Sequence, residues 1–404
     1  MIQKILHTPE GVRDIYSEEC EKKLILESHL RQVLNSYGYR DIETPTFEFF
    51  DVFSREVGTI PSRELYKFFD REGNTLVLRP DFTPSIARAA SKYFMNEEKP
   101  IRLSYLGNNF INNSSYQGRL KESTELGAEL IGDSTAEADA EVIAMVIDTL
   151  LKAGLRDFQI SIGQVQFFEG LAAEAGLNGQ KEEELRQLII NKNSFGVEKL
   201  LSEETIDEEL KKVFAALPSL FGGEEILERA LSMDAFKNGG SSRMTSASQA
   251  ITRLQEVLDI LKIYELDRYV SFDLGMLSSY MYYTGIIFRG YTYGSGDALI
   301  KGGRYDQLLG HFGKEAPAIG FVVVINQLMN ALSRQKIDIL SEHSRYLILY
   351  HKRNRTAAIQ KAMDYRRQGK YVELMQMEDG KGKKDYQTYA DAEKFAGVIE
   401  MEDI

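Results

Sequence analysis

The sequence predicts an α+β fold, an antiparallel sheet flanked by helices, and three observations carry that reading. Short strand-like runs and amphipathic helical stretches are mixed without regular alternation, which argues against a doubly wound parallel sheet. A charged, helical texture with no strand signal fills roughly 171–264, as expected of a helical insertion. The final segment, 345–404, has its own strand, helix and strand pattern and is predicted to form a small C-terminal α/β appendage.

Taken in order, Ser17 is placed to cap a helix that has Glu18 and Glu19 in its first turn. Leu26, Leu30, Val33, Leu34 and Tyr37 give it one apolar face, and Gly38 ends it. Thr83 followed by Pro84 predicts an N-cap and first helical position, opening a helix that reaches about Met95. A third helix is expected from Ala136 to Ala153. Strands are expected at Thr75 to Leu78, Ile101 to Leu106 and Glu122 to Ile131, then at Tyr269 to Leu274, Ile286 to Tyr293 and Ala298 to Ile300. The last two are joined by Gly294, Ser295, Gly296 and Asp297, a hairpin-turn composition. Within the insertion, Lys181 to Asn191 and Ser202 to Phe214 are helical in pattern. In the appendage, a strand to Tyr350 precedes a helix from Thr356 to Gln368 and a strand from Tyr371 to Met375.

The 404 residues, 43% of them hydrophobic, suffice for one large domain at 1–335 and the appendage. No run of eighteen apolar residues occurs, and Met1 to Glu10 has no basic stretch leading into an apolar block, so no membrane association is expected and the chain is expected in the cytoplasm. The single cysteine, Cys20, excludes an intrachain disulfide. His7, His29, His311, His343 and His351 are scattered without metal-ligand spacing, so neither metal nor cofactor is expected. A net charge of −12 argues against broad nucleic-acid binding.

Three constellations can carry chemistry: Leu78 to Thr83; Gly118 and Arg119 leading to Glu125, Gly127, Ala128 and Glu129; and Tyr282 to Gly285. They gather carboxylates, hydroxyls and tyrosine rings, the groups that recognise a small cationic or zwitterionic ligand. Each residue alone also has a structural reading: Thr83 as a cap, the tyrosines as sheet packing, Glu129 as a solvated strand position.

Their order resembles class II histidyl-tRNA synthetases, and more closely the synthetase-like regulatory subunits of ATP phosphoribosyltransferase, over most of residues 5–330. Thr8 to Asp14 is similar to the amino-terminal segment of that family, and Tyr37 through Pro45 to its first motif, which builds a dimer interface. The strongest match is Lys301, Gly302, Gly303, Arg304, Tyr305, Asp306, followed by Pro317 to Phe321. The resemblance implies a class II aminoacyl-tRNA synthetase-like sheet. It also implies a histidine pocket in which Asp81, Thr83 and Glu125 face the α-ammonium group, while Glu129, Tyr282 and Tyr305 face the imidazole, with Tyr283 beside them. Glu125 stands where the synthetases have glutamine.

The same alignment shows losses on the ATP side. The arginine expected after Phe110 is Ile111, and a glutamate two positions later is Asn113; the arginine of the tyrosine motif is Ser278, and that of the third motif is Gln327. Each charge-assisted contact is worth roughly 1.5–3 kcal/mol, and a lost transition-state donor costs about 10²- to 10³-fold in rate. No catalytic residue is therefore expected. About sixty residues follow Arg345, too few for an anticodon-binding domain, so cognate tRNA reading is not expected either. The resemblance implies a non-catalytic regulatory subunit that dimerises, joins a short-form catalytic ATP phosphoribosyltransferase in a larger hetero-oligomer, and carries allosteric histidine feedback in histidine biosynthesis. A histidine-tRNA ligase with a degenerate ATP site and a free-standing histidine sensor stay open as alternatives.

Overall fold

A computed structural model describes residues 6–53, 60–113, 120–237, 242–277, 282–339, 344–378 and 380–401. The chain divides into two compact units, Met1–Asp338 and Ile339–Ile404.

The first unit is built on a nine-stranded sheet in the order Arg40–Asp41, Ile101–Phe110, Glu122–Ile131, Ala318–Val324, Ile300–Arg304, Ile286–Thr292, Phe158–Gln164, Val270–Asp273 and Phe221–Gly222. Its six strands from Ile101–Phe110 to Phe158–Gln164 pair antiparallel, as the sequence predicts. Two junctions are parallel, Arg40–Asp41 beside Ile101–Phe110 and Phe158–Gln164 beside Val270–Asp273, so the complete sheet is mixed. Thr75–Leu78 does not join it. That strand is the centre of a separate antiparallel sheet between Phe47–Phe49 and Lys67–Phe69.

Helix Ala136–Lys152 is deeply packed, with Val142 to Ile147 all buried and Thr135 accepting a hydrogen bond from the Ala138 amide as its cap. Two expected caps act differently. Helix Ser17–Ser36 is capped at Tyr16, with Ser17 already its first residue, and Gly38 follows with φ +84°. Helix Thr83–Tyr93 takes Phe82 as its N-cap, and the Asp81 carboxylate accepts from the Thr83 amide at 3.1 Å. Asp81 serves the free amide, and the Thr83 hydroxyl is left to bond elsewhere.

The helical segment begins at Val165, directly after strand Phe158–Gln164, and ends with helix Ser242–Ile263. Among its described residues it contains one strand that the sequence does not announce: Phe221–Gly222, only two residues long, pairs with Val270–Asp273 at the sheet edge. In the second unit, Arg345–Tyr350 lies between Tyr371–Gln376 and Gly397–Glu400, all parallel. Its central strand is buried on both faces: Leu347 and Leu349 pack with Met377 and Ala390, and Ile348 packs with Ala358 and Ala362. Such two-sided burial is what a parallel strand requires.

Candidate ligand-binding site

The period-two geometry of strands puts alternate side chains of the central sheet on one face. Glu125, Gly127 and Glu129 share that face, as do Gly320, Val322 and Val324, and Lys301 and Gly303. Register makes rows of them: Gly303, Gly320 and Glu129 are successive partners in one row, and Lys301, Val322, Gly127 and Tyr105 in the next. Over these rows lies a cavity of about 120 Å³, close in size to the roughly 150 Å³ cavities that hold a benzene ring.

All seven residues expected to bind a ligand, Asp81, Thr83, Glu125, Glu129, Tyr282, Tyr283 and Tyr305, line this cavity. Glycines make room for them. A Cβ at Gly303 would stand 2.7 Å from the Tyr283 ring, and one at Gly302 would stand 2.4 Å from Phe288. The Tyr282 ring meets Tyr305 edge-on at 5.8 Å and leans on Tyr283 at 4.5 Å, giving the cavity an aromatic wall.

Glu129 is buried on its strand, 1% exposed, and both of its oxygens are held. Tyr305 donates its hydroxyl to Oε2 at 2.5 Å, and Thr83 donates to Oε1 at 2.9 Å. Burial pushes its carboxyl up to about 8; the Tyr305 and Thr83 hydrogen bonds pull it down, and the nearby Asp81 charge adds to the rise. Glu125, whose exposed surface faces the cavity, accepts from the Asn109 amide. Burial, followed by the Asp81 charge, pushes it up to about 8, against the pull of Lys301, Asn109 and Arg79. Three carboxylates and an aromatic wall suit a small cation bearing N–H donors.

The site also draws on residues for which no ligand-binding role was expected. Tyr105 stacks on Phe82 at 4.4 Å, and Lys301 lines the wall from the row it shares with Val322 and Gly127. Asn109 is 1% exposed and holds Glu125 from the neighbouring strand, a partnership visible only once the two strands are paired. Arg79 is turned away from a ligand by its own bonds, donating to the carbonyls of Asn108 at 2.9 Å and Thr44 at 2.8 Å while lying over Phe82.

Where the synthetases would place an ATP-handling arginine, Ile111 lines the cavity with an apolar side chain. Asn113 donates to the Leu120 carbonyl at 3.3 Å, and Gln327, on helix Ile325–Arg334, has a buried side-chain oxygen. Ser278 lies outside the described residues, as do Gly118 and Arg119. Arg102 is committed to Glu141, in a two-pronged pairing at 3.1 Å for each bond. Among the described residues no group of His, Cys, Asp or Glu side chains could hold a metal ion, and no helix is long and apolar enough to cross a membrane.

Behind the cavity, Arg304 leaves the same strand as Lys301 and Gly303 and binds Asp139 at 2.7–2.8 Å. Asp139 is fully buried on helix Ala136–Lys152 and also accepts from Arg253 of the insertion at 2.8 Å. Arg304 reaches Asp306 at 3.3 Å, and Asp306 is bonded in turn to Thr284 at 3.0 Å beside the tyrosines. This buried array fixes the cavity floor to the helical layer.

Residues 11–328 match the histidyl-tRNA synthetase family. The ATP phosphoribosyltransferase regulatory subunit of Acetivibrio thermocellus is 43% identical over 91% of this chain and 86% of its own length. That of Ruminiclostridium cellulolyticum is 42% identical over 98% of this chain and 93% of its own. The crystal structure of an ATP phosphoribosyltransferase regulatory subunit/histidyl-tRNA synthetase from Bacillus halodurans aligns with a TM-score of 0.84 at 32% identity, covering 99% of both chains. The chain therefore belongs to the histidyl-tRNA synthetase family and, within it, to the ATP phosphoribosyltransferase regulatory subunits.

Proposed function

We propose that this chain is the non-catalytic, histidine-sensing subunit of an ATP phosphoribosyltransferase, acting at the first step of histidine biosynthesis. It pairs with a short-form catalytic subunit, raises that subunit's turnover and transmits feedback from histidine held in the synthetase-like cavity. The chain dimerises and works in the cytoplasm within the larger hetero-oligomer.

The observation that carries this reading is the one-sided chemistry of the cavity. Acceptors for an ammonium group and an imidazole are in place at Asp81, Glu125 and Glu129, with tyrosines around them, while Ile111 offers a triphosphate no charge. Adenylation needs positive charge on the phosphate side, whereas binding histidine does not. Coupling of about 1–3 kcal/mol between the cavity and the partner's active site is enough for feedback of 5- to 150-fold.

The test mixes the purified chain with the short catalytic subunit and follows phosphoribosyl-ATP formation with and without histidine. Stimulation by the chain and inhibition by histidine are expected. If turnover is neither raised nor made sensitive to histidine, the reading fails. Histidine-dependent exchange of pyrophosphate into ATP by the chain alone would instead identify a ligase.

A further inference from the structure

We propose that Lys301 is the specificity-determining residue that reads the carboxylate of the amino acid bound in this cavity. The inference rests on the histidine-binding reading above and adds to it the group that distinguishes the amino acid from a simple amine.

Among the described residues, the cavity lining carries three acidic side chains, Asp81, Glu125 and Glu129, and one cationic side chain, Lys301. An amino acid brings its own anion into that field. Without a countercharge the carboxylate would leave water for a site that has the Asp81 charge and no cation to pair with it, so the wall would select an amine without one. Four other donors near the wall are occupied: Tyr305 gives its hydroxyl to Glu129, Thr83 does the same, Asn109 gives its amide to Glu125, and Arg79 is spent on backbone carbonyls.

Lys301 is well placed. It sits in the row between the one that holds Glu129 and the one in which Glu125 pairs with Val324, on the same face of the sheet. It is near enough to Glu125 for its charge to favour the ionised carboxylate. It is also available, since the Lys301 ammonium stands 3.8 Å from the Asp297 carboxylate, beyond hydrogen-bond range, with both side chains more than a third exposed. Such a contact is worth little, so turning the ammonium to a ligand costs little. The wall that binds the ligand's cationic end thus has, among the described lining residues, one opposite charge beside it, a polarity that fits a zwitterion in one orientation.

The experiment is calorimetric titration of the full chain with histidine and with histamine, which keeps the imidazole and the amine but lacks the carboxylate. Lys301→Met removes the charge at similar length, and Lys301→Arg keeps it. For Lys301→Met, histidine affinity is expected to fall about 10- to 100-fold with histamine affinity unchanged, and Lys301→Arg is expected to retain histidine binding within about threefold. Equal losses for both ligands, an unchanged histidine affinity in Lys301→Met, or equal losses in the Met and Arg variants would overturn the assignment. Failure of the unsubstituted chain to bind either ligand is a different result: it overturns the histidine-binding reading, and this assignment with it.

Discussion

Gly320 and Glu129 are cross-strand partners, and the Glu129 carboxylate lies so close over the bare Cα of Gly320 that a Cβ there would stand 1.6 Å from Oε2. The position of the most buried acid in the cavity is therefore set by a missing methyl group. Tyr305 and Thr83 then fix the two oxygens, one each.

Gly320→Ala is expected to push Glu129 out of its hydrogen bonds. Overpacking of this kind costs about 1–3 kcal/mol of stability, read by urea unfolding. Histidine affinity, measured by calorimetry, should fall at least tenfold, because the acceptor no longer occupies the wall. A variant that binds as tightly as the unsubstituted protein would show that Glu129 does not contact the ligand.

Asp139→Ala should be far more damaging than its distance from the cavity suggests. It leaves Arg304 in a site where only 6% of its side chain is exposed, without the carboxylate it shares with Arg253. Removing one partner of a buried pair costs about 3–5 kcal/mol, which chemical denaturation will read directly. A loss below about 1 kcal/mol would mean that the array contributes order but little energy.

Glu125 and Glu129 both stand at about 8, against an ordinary value of 4.5 that the unfolded chain restores. Between these values the folded protein holds protons that the unfolded chain has released. Their contribution to stability is thus full below about 4.5 and is lost as pH rises through about 8. Melting temperature of the ligand-free protein should accordingly decline from pH 6 to 9, and Glu125→Gln should make the decline shallower. An identical slope in the variant would show that Glu125 titrates in its ordinary range.

Much of this was legible in the chain because the informative residues obey short periods. The alternation of Glu125, Gly127 and Glu129 fixes one face of a strand, and the apolar spacing of Leu26, Leu30 and Leu34 fixes one face of a helix; all three leucines are buried. Legibility stopped where a residue's role depends on its neighbour across the sheet. The strand expected at Ala298 to Ile300 instead runs over Ile300–Arg304: its two glycines are there because Phe288 and Tyr283 occupy the space of their side chains. Thr83 had the identity of a cap, but Asp81 two residues earlier took the amide and released the hydroxyl to Glu129. Asn109 meets Glu125, and Lys301 joins the row of Val322 and Gly127, only through strand register, a relationship that no local pattern encodes.

The helical insertion interrupts the sheet in sequence but not in space. Helix Ser242–Ile263 supplies Arg253 to the buried Asp139, and Phe221–Gly222 forms the last strand of the sheet. The segment is therefore not a removable decoration. Shortening it to a loop would strip a countercharge from the interior and bare a sheet edge in one stroke, so in any redesign of this protein those residues belong with its core.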